Sequence, residues 1–375
     1  MSKLVSGEET LSSKFDLRDV TQFDDEQDQP RLSDISKEFR NSGMLWLQGV
    51  FESQLLEDLR SAYLKEYVGL NEEDHPKVCL DVGDKDRNMY TVIKKPPFDH
   101  PDLHQSPLLF PVLRSILKKG MIIQSFGIVS APSGSQRQHL HVDHSALFGE
   151  MHDFGSFLPS YAITLTIPLV DLNEETGTTA IWPGSHRNAS KVPDDDGNLS
   201  YEHAVLPKAK AGDCLMWDFR TWHCGTPNLT DSDRPLLYMT LSRSWFEDRC
   251  NYNRLGGRFP LLVSQNFLKG LDHDQKKLFQ AASICDGYQP GDLMRFEGVL
   301  LVLLRVNRHG WIHHAVSIEA KKDGAVKTML PRENASHHGH RLFAAVFLIC
   351  GDQDDMLAQS GTFASRINQP LVAFR

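Results

Sequence analysis

The sequence predicts a mainly β protein, a sandwich or barrel with flanking helices near its N-terminal side. Short stretches typical of strands follow one another beyond Asp81, separated by turns rich in Pro, Gly, Asn and Asp. No regular helices lie between these stretches, which disfavours a parallel sheet with helical crossovers. The candidate strands are Met89–Ile93, Met121–Val129, Gln138–Asp143, Tyr161–Leu172, Thr178–Trp182, Asp213–Asp218 and Leu236–Trp245.

The N-terminal segment precedes these strands and has a different pattern. Residues 1–33 are polar and predict a flexible acidic arm. A helix is predicted from about Leu32 to Asn41, ended by Gly43. Met44–Val50 then predicts a short buried strand, and the apolar spacing within Phe51–Val68 predicts a second helix.

The C-terminal part forms a predicted extension, residues 266–375, behind a predicted β domain of residues 34–265. Asn266–Ala282 has the pattern of a helix that could close the domain. Two later apolar runs, Val299–Val306 and Leu342–Cys350, are too short to span a membrane and too apolar to stay exposed. We expect these runs to pair with each other or with the outer sheet, and to supply no metal ligand.

Composition and charge limit the class of partner. The 375 residues are 40% apolar and 24% charged, which excludes wholesale disorder. The formal net charge of −9 disfavours nucleic acids and anionic membranes as partners, so a small-molecule substrate is expected. The six cysteines form no C-x-x-C pair, and the first twenty residues have no apolar core typical of a secretory signal. Reduced thiols in the cytoplasm are therefore expected, and the oligomeric state is left open.

A candidate metal motif lies in the segment Gln136–His144. Alternation along a strand places His139, His141 and Asp143 on one face. A His-x-Asp pair can supply two ligands, and two imidazoles with one carboxylate form the facial triad of non-haem Fe(II) oxygenases. The tripeptide alone equally fits an exposed polar strand face. A second copy, His100-Pro101-Asp102, is rejected because its proline favours a loop.

A second segment supplies the missing groups. Residues 212–228 predict a turn, a strand, and then His223 at the start of a loop. Arg234 follows eleven residues later, at the beginning of the next strand. Arginine is the side chain best suited to hold a carboxylate by two parallel hydrogen bonds.

Together these residues resemble the phytanoyl-CoA dioxygenase-like branch of the Fe(II)/2-oxoglutarate-dependent oxygenases. The motifs occur in the order and at the spacings of that family, over roughly Arg40 to Asp248. They are His141-x-Asp143, Glu175-Thr-Gly177, Trp182-Pro-Gly-Ser-His186, Gly212-Asp213, His223-x-Gly225, Asn228 and Arg234.

The resemblance implies a double-stranded β-helix, a jelly-roll barrel, that binds Fe(II), 2-oxoglutarate and O₂. It implies His141, Asp143 and His223 as the metal ligands and catalytic residues. It also implies that Arg234 binds the far carboxylate of 2-oxoglutarate, with additional co-substrate contacts expected at Thr166, Thr164 and, more weakly, Gln124. Gly225 occupies a position where some members carry a hydroxyl group, so one hydrogen bond to the co-substrate is in doubt.

The implied reaction is hydroxylation of a C–H bond of a small molecule, with release of succinate and CO₂. Desaturation, cyclisation and a catalytically inactive metal-binding jelly roll remain alternatives. A related halogenase is disfavoured because Asp143 fills the position that halide would need. The substrate is not readable. Arg87, Lys94 and Lys95 could contact an anionic substrate, but the preferred interpretation is that they are exposed loop residues, because such basic residues usually contact only water.

Overall fold

The structure is a computed structural model, and it forms two compact units, Met1–Met294 and Arg295–Arg375. The described residues are 11–24, 27–75, 78–82, 87–144, 147–148, 157–193, 199–248, 251, 260–285, 300–306, 312–319 and 341–347.

The first unit is built on an eight-stranded sheet with the spatial order β1-β2-β9-β7-β11-β6-β4-β3. Its strands are β1 (Lys14–Asp16), β2 (Met44–Gln48), β3 (Cys79–Val82), β4 (Arg87–Thr91), β6 (Ile122–Ala131), β7 (Ala162–Pro168), β9 (Cys214–Asp218) and β11 (Arg234–Ser242). All neighbours pair antiparallel except β1 and β2, which are parallel. A second, short sheet pairs β8 (Thr179–Ile181) with β10 (His223–Gly225). The prediction of a mainly β fold with flanking helices is confirmed.

The predicted strand Gln138–Asp143 is the exception among the candidate strands. It is an extended segment that forms a bridge between His141 and His223, and the Gln138 N–H also donates to the Gly225 carbonyl. The segment leaves the ladder after this bridge because the Asp143 N–H donates to the carbonyl of Phe219, in the turn after β9. Residues 138–143 therefore do not form the predicted regular strand.

Helices cover one face of the large sheet. They are α1 (Gln29–Ser42), α2 (Ser53–Glu66), α3 (Asp102–Gln105) and α4 (Leu109–Leu117). Alternation along β7 and β11 turns Ile163, Leu165, Leu237 and Met239 into the core that these helices share. The intervening residues of both strands face the opposite side of the sheet, and this opposite face carries the candidate site.

The N-terminal segment is part of this core. Lys14–Asp16 pair with β2, and Leu17 and Phe23 are buried, so this stretch of the predicted arm is packed. The first helix begins earlier than predicted, at Gln29, because Pro30 has the backbone angle of a first helical turn. It ends at Gly43, whose φ of 74° is left-handed as predicted for a terminating glycine.

The first part of the predicted C-terminal extension packs on the same core. It contributes the short strand β13 (Ser283–Ile284) and the helices α5 (Gln265–Gly270), which begins at the boundary, and α6 (His273–Leu278); the short strand β12 (Leu262–Val263) directly precedes it. β12 pairs in parallel with β13 on one side and with β5 (Ile93–Lys94) on the other. Leu278, Phe279 and Cys285 are buried in the core, so the first unit extends well past residue 265.

Lys94 is buried at the edge of this added layer, contrary to its interpretation as an exposed loop residue. Its side chain is 0% exposed, and its Nζ lies 3.7 Å from the centre of the Phe126 ring without a hydrogen-bond partner. Burial lowers the pKa of Lys94 to about 7, although the nearby Asp99 acts in the opposite direction. The folded chain therefore holds the proton of Lys94 less tightly than the unfolded chain does.

Replacing Lys94 by methionine is expected to stabilise the protein, most strongly at about pH 7 or below. Between about pH 7 and the ordinary lysine pKa near 10.5, the unfolded chain binds a proton that the folded chain does not. Stability of the natural protein should therefore rise with pH across this window. Methionine removes a penalty on the order of 4 kcal/mol at neutral pH. Calorimetry at about pH 7 and pH 10 checks this, with Lys95→Met as the matched control. An advantage of Lys94→Met that does not shrink at pH 10 contradicts the expectation.

The second unit contains one three-stranded antiparallel sheet among its described residues. Its central strand β14 (Leu300–Val306) pairs with β15 (Ile312–Glu319) on one side and with β16 (Arg341–Phe347) on the other. The two apolar runs thus pair with each other, as predicted. None of the helices in the described parts of the chain has both the length and the apolar character of a membrane span.

Candidate active site

Three side chains converge between the extended segment and the short sheet. His141 and His223 exchange two backbone hydrogen bonds, of 3.1 and 3.0 Å, which places their rings side by side with centroids 4.3 Å apart. Asp143 follows two residues later, and its Oδ1 lies 3.4 Å from Nε2 of His223. One potential ligand atom from each of the three residues lies within 4.8 Å of the others. The structure therefore brings together the three predicted metal ligands.

Backbone carbonyls orient both imidazoles. Nδ1 of His141 lies 2.9 Å from the carbonyl oxygen of His139, and Nδ1 of His223 lies 2.9 Å from that of Thr221. A carbonyl can only accept, so Nδ1 carries the hydrogen and a neutral ring presents a bare Nε2. This is the tautomer that a metal-binding histidine needs, held by hydrogen bonds from behind.

The charges of the three groups suit a divalent cation. Burial, with His223 nearby, lowers the pKa of His141 to about 4, so this ring is neutral at physiological pH. Burial acts to raise the pKa of Asp143, but the two histidines and the Thr164 hydroxyl outweigh it and lower the pKa to about 2. Asp143 is thus a carboxylate among nitrogen donors. Two nitrogens and one carboxylate oxygen form the donor set of a mononuclear non-haem iron site, so these residues fit the metal.

A cavity of about 280 Å³ lies beside these residues, between the large sheet and the short sheet. Thr166, Tyr238 and Arg234 line it from the large sheet, and Thr179 and Gly225 from the short one. The sheets enclose the site as the two walls of a jelly-roll barrel do. A ligand in this cavity would be shielded from most of the solvent.

Arg234 lies at the start of β11 and is only 3% exposed. Its Nη1 donates to the carbonyls of Thr176 and Thr226, both at 3.1 Å, while its Nε has no hydrogen-bond partner among the described residues. Burial, reinforced by the positive charge of Arg87, lowers the pKa of Arg234 to about 9. A cation held in this way favours an anionic ligand, because only an anion would restore the lost solvation.

Thr166 supplies a second polar group to the cavity. Its hydroxyl oxygen is buried and has no hydrogen-bond partner in the part of the chain that the structure describes. Unpartnered buried polar atoms are rare in folded proteins, and two of them at one cavity indicate a polar ligand. The donor atoms of Arg234 and Thr166 therefore fit an oxygen-rich co-substrate such as 2-oxoglutarate.

Arg87 is a cavity residue that the sequence interpretation placed in solvent. It is 1% exposed, its Nη2 donates to the Thr226 carbonyl at 3.0 Å, and it lines the cavity together with Met89 on the same face of β4. Alternation along β4 places residues 87, 89 and 91 on one face of the strand. The sequence alone does not show whether this face points towards the site or towards solvent, because it does not show that β4 borders the site.

Because Gly225 has no side chain, the side chains of Gln138 and Arg87 occupy the space beside it. A Cβ on this residue would lie 2.6 Å from Oε1 of Gln138 and 3.0 Å from Nη2 of Arg87. The Gly225 N–H donates to the same Gln138 oxygen at 2.9 Å. A larger residue, such as one with the hydroxyl found in some relatives, would therefore displace both side chains.

Two of the predicted co-substrate contacts have other partners. Thr164 lines the cavity, but its hydroxyl donates to Oδ2 of Asp143 at 2.6 Å. The amide nitrogen of Gln124 donates to the Ser242 hydroxyl and to the carbonyl of Phe246, at 2.8 and 2.7 Å, and Gln124 is not among the described residues that line the cavity. The Gln124 side chain therefore points from β6 towards the residues that end and follow β11.

Comparison with known proteins agrees with this geometry. The family model described as phytanoyl-CoA dioxygenase matches residues 39–236, more than half of the chain. The chain belongs to the phytanoyl-CoA dioxygenase family. The predicted family is therefore confirmed, and its name, like that of the relative ausO described below, is that of a dioxygenase.

Two relatives and one solved structure show how distant the similarities are. Dioxygenase af480 of Aspergillus fumigatus is 26% identical over 156 residues, covering 40% of this chain and 47% of that protein. The iron/alpha-ketoglutarate-dependent dioxygenase ausO of Aspergillus calidoustus is 23% identical over 188 residues, covering 48% and 60%. The matches thus span about half the length of these relatives. The alpha-ketoglutarate-dependent epimerase SnoN from nogalamycin biosynthesis has a TM-score of 0.42 and 17% identity, covering 57% of this chain and 82% of its own.

Proposed function

We propose that this protein is an Fe(II)- and 2-oxoglutarate-dependent dioxygenase that hydroxylates a C–H bond of a small-molecule substrate, with release of succinate and CO₂. The observation that carries the proposal is the placement of His141, Asp143 and His223 at one cavity with Arg234. The buried guanidinium provides an anchor for a carboxylate, and the three ligands provide a place for the metal. The four described cysteines, Cys79, Cys214, Cys224 and Cys285, form no disulfide, which agrees with the reducing conditions of the cytoplasm.

The residues of the chain have separate roles in this proposal. His141, Asp143 and His223 would hold Fe(II), and the metal would supply the oxidative chemistry. Arg234 binds the distal carboxylate of 2-oxoglutarate, and Thr166 donates its hydrogen to the same ligand. Arg87 adds positive charge beside Arg234 and so strengthens the preference for an anion. The walls exclude water, which keeps the oxidising chemistry directed at the substrate.

An anaerobic titration with Fe(II) and 2-oxoglutarate tests the proposal directly. Bidentate chelation of iron by a keto acid should produce a weak visible charge-transfer band that saturates at one equivalent of metal. Succinate release in air, measured across a panel of small metabolites, then identifies substrates that increase turnover. Folded protein that gives neither the band nor succinate would contradict the proposal and favour an inactive metal-binding module.

Replacing Gly177 by alanine is expected to weaken 2-oxoglutarate binding without weakening Fe(II) binding. Gly177 has a φ of +75°, and a Cβ there would collide with Nη1 of Arg234 and with the carbonyl of Pro227. The displaced guanidinium should raise the half-saturating 2-oxoglutarate concentration by about 10-fold, since a misplaced ligand-binding group loses much of its hydrogen-bond energy. Succinate-formation kinetics measure this shift.

Gly134→Ala is the matched control for the Gly177 variant. Gly134 also has a positive φ, of +71°, but a Cβ there would meet nothing within 4 Å. It should share the backbone strain of Gly177→Ala without the loss of co-substrate affinity. Equal half-saturating concentrations in the two variants would show that Gly177 does not act through Arg234.

A further inference from the structure

We infer that Thr164 and Trp217 are positioning residues that make Asp143 a one-oxygen ligand. Both donate to Oδ2 of this carboxylate and leave Oδ1 alone for the metal. The inference rests on the proposed function, and it goes further by stating how the carboxylate binds. It also gives Thr164 a role different from the co-substrate contact that the sequence predicted.

Two hydrogen-bond donors outside the ligand cluster occupy one oxygen of the Asp143 carboxylate, and the other oxygen faces the candidate ligand His223. Oδ2 of Asp143 accepts from the Thr164 hydroxyl at 2.6 Å and from the indole Nε1 of Trp217 at 2.9 Å. Oδ1 instead points to His223, 3.4 Å from its Nε2. Bonds to an ionised acceptor are short and strong, and two of them use the lone pairs that a metal would otherwise engage.

The sheet fixes the distance between the two donors. Thr164 on β7 and Trp217 on β9 are direct cross-strand partners, so their side chains leave adjacent positions on the same face. Neither donor can turn away without leaving a buried polar hydrogen unpaired. The pair therefore behaves as a rigid cradle for a single oxygen atom.

The backbone of Asp143 is held as well. Its N–H donates to the Phe219 carbonyl at 3.0 Å, and its carbonyl accepts from Nδ2 of Asn251 at 2.7 Å. With both main-chain groups and Oδ2 engaged, Oδ1 is the remaining oxygen of this residue that can bind a metal.

The consequence concerns coordination positions. A carboxylate that binds through both oxygens occupies one more position than a carboxylate that binds through one. A keto acid chelate needs two positions, and O₂ needs a third. Confining Asp143 to Oδ1 therefore preserves the open positions on which the proposed reaction depends.

Isosteric variants remove the two donors separately and together. Thr164→Val removes one hydroxyl, Trp217→Phe removes one N–H while keeping an aromatic ring, and the double variant frees Oδ2. The matched control is Thr240→Val. Thr240 lies opposite Thr164 on β11 and also lines the cavity, but its hydroxyl bonds to Ser125 and not to Asp143.

Two measurements on the full chain test whether Thr164 and Trp217 keep Asp143 a one-oxygen ligand. The first is Fe(II) affinity, determined anaerobically, which should fall by roughly 10- to 100-fold in the double variant, as is usual when the partners of a metal ligand are removed. The second is a crystal structure with Mn(II) replacing Fe(II). Oδ2 should approach the metal in the double variant and stay away from it in the natural protein and in Thr240→Val.

The outcomes separate this inference from the proposed function. If the natural protein binds Fe(II) and 2-oxoglutarate but the double variant keeps the natural affinity and one-oxygen binding, the inference is wrong and the proposed function stands. A natural protein without Fe(II) binding overturns both. If the double variant does not fold, Thr164→Val decides, because this substitution keeps the volume of the side chain; unchanged Fe(II) affinity and one-oxygen binding in that variant would overturn the inference.

Discussion

Asp143→Ala is expected to lower Fe(II) affinity by at least about 100-fold and to abolish succinate formation. Removing a metal ligand should weaken metal binding more than removing the residues that hydrogen-bond to that ligand. The substitution removes the only carboxylate of the three-residue cluster, and with it the negative charge that holds the pKa of His223 above its ordinary value, so that burial leaves both imidazoles neutral. Two neutral nitrogen donors lack the negative charge that a hard divalent cation requires.

The fold is expected to survive this substitution. Asp143 lies at a cavity and not in the apolar core, so little packed volume is lost. The Thr164 hydroxyl and the Trp217 N–H lose their acceptor, at a cost of about 1–3 kcal/mol. Removing a buried charge offsets part of this cost. Circular dichroism and thermal unfolding should therefore show a folded protein with a modestly changed Tm.

The chain offers a matched control in its second His-x-Asp tripeptide. Asp102 follows His100 and Pro101, and it opens the short helix α3 outside the cavity. Asp102→Ala removes a carboxylate from the same local motif and should leave Fe(II) affinity unchanged. Equal losses in both variants would mean that the metal does not bind at the predicted cluster.

Local sequence was sufficient to predict the candidate ligands. The two-residue spacing of His141 and Asp143 and the strand–turn position of His223 are properties of short segments. The resemblance to a family then related the two segments to each other. The side-chain alternation also held for β7 and β11, where polar residues face the cavity and Ile163 and Leu237 face the core.

Cross-strand register was not predictable in the same way. The hydrogen bond from Thr164 to Asp143 arises because β7 pairs with β9 in the register that sets Thr164 beside Trp217. Arg87 faces the cavity because β4 pairs with β6 at the edge of the large sheet. Such pairings join residues far apart in the chain, and alternation within one strand contains no information about its neighbours.

The burial of two basic side chains, Arg87 and Lys94, was also not predicted from the sequence. Arg87 and Lys94 were interpreted as exposed because basic side chains usually are. Arg87 is buried where a backbone carbonyl accepts from it, and Lys94 is buried against an aromatic ring. Each environment is supplied by a distant segment, so neither could be derived from the flanking sequence.

Arg234→Met is expected to raise the half-saturating 2-oxoglutarate concentration by about 100-fold or more. Truncating one partner of a buried charge pair costs about 2–5 kcal/mol, and about 3 kcal/mol corresponds to a factor on the order of 100. The distal carboxylate of the co-substrate would lose its principal counter-charge, and the remaining Arg87 would compensate only in part. Fe(II) affinity should not change, because the Arg234 guanidinium donates to the carbonyls of Thr176 and Thr226 and not to the candidate metal ligands.

Replacing a buried arginine could also disturb the fold, and the structure indicates that this effect is small. After the substitution, the Thr226 carbonyl still accepts a hydrogen bond from Arg87. The Thr176 carbonyl loses the hydrogen bond that Arg234 donates to it. Methionine fills a similar length of apolar space and removes a charge that is expensive to bury. Thermal unfolding should show little change, and Arg114→Met, on the far helix α4, controls for the general loss of one positive charge.

A keto acid without the distal carboxylate gives the sharpest test of the anchor. The natural protein should prefer 2-oxoglutarate strongly over 2-oxobutyrate, which has the same chelating end. In Arg234→Met this preference should largely disappear, because the group that recognises the second carboxylate is gone. In Arg234→Lys an intermediate preference is expected, since a lysine keeps the charge but loses the planar fork of donors. If Arg234→Met kept the natural preference, the anchor would have to be assigned to Arg87, the other buried guanidinium that lines the same cavity.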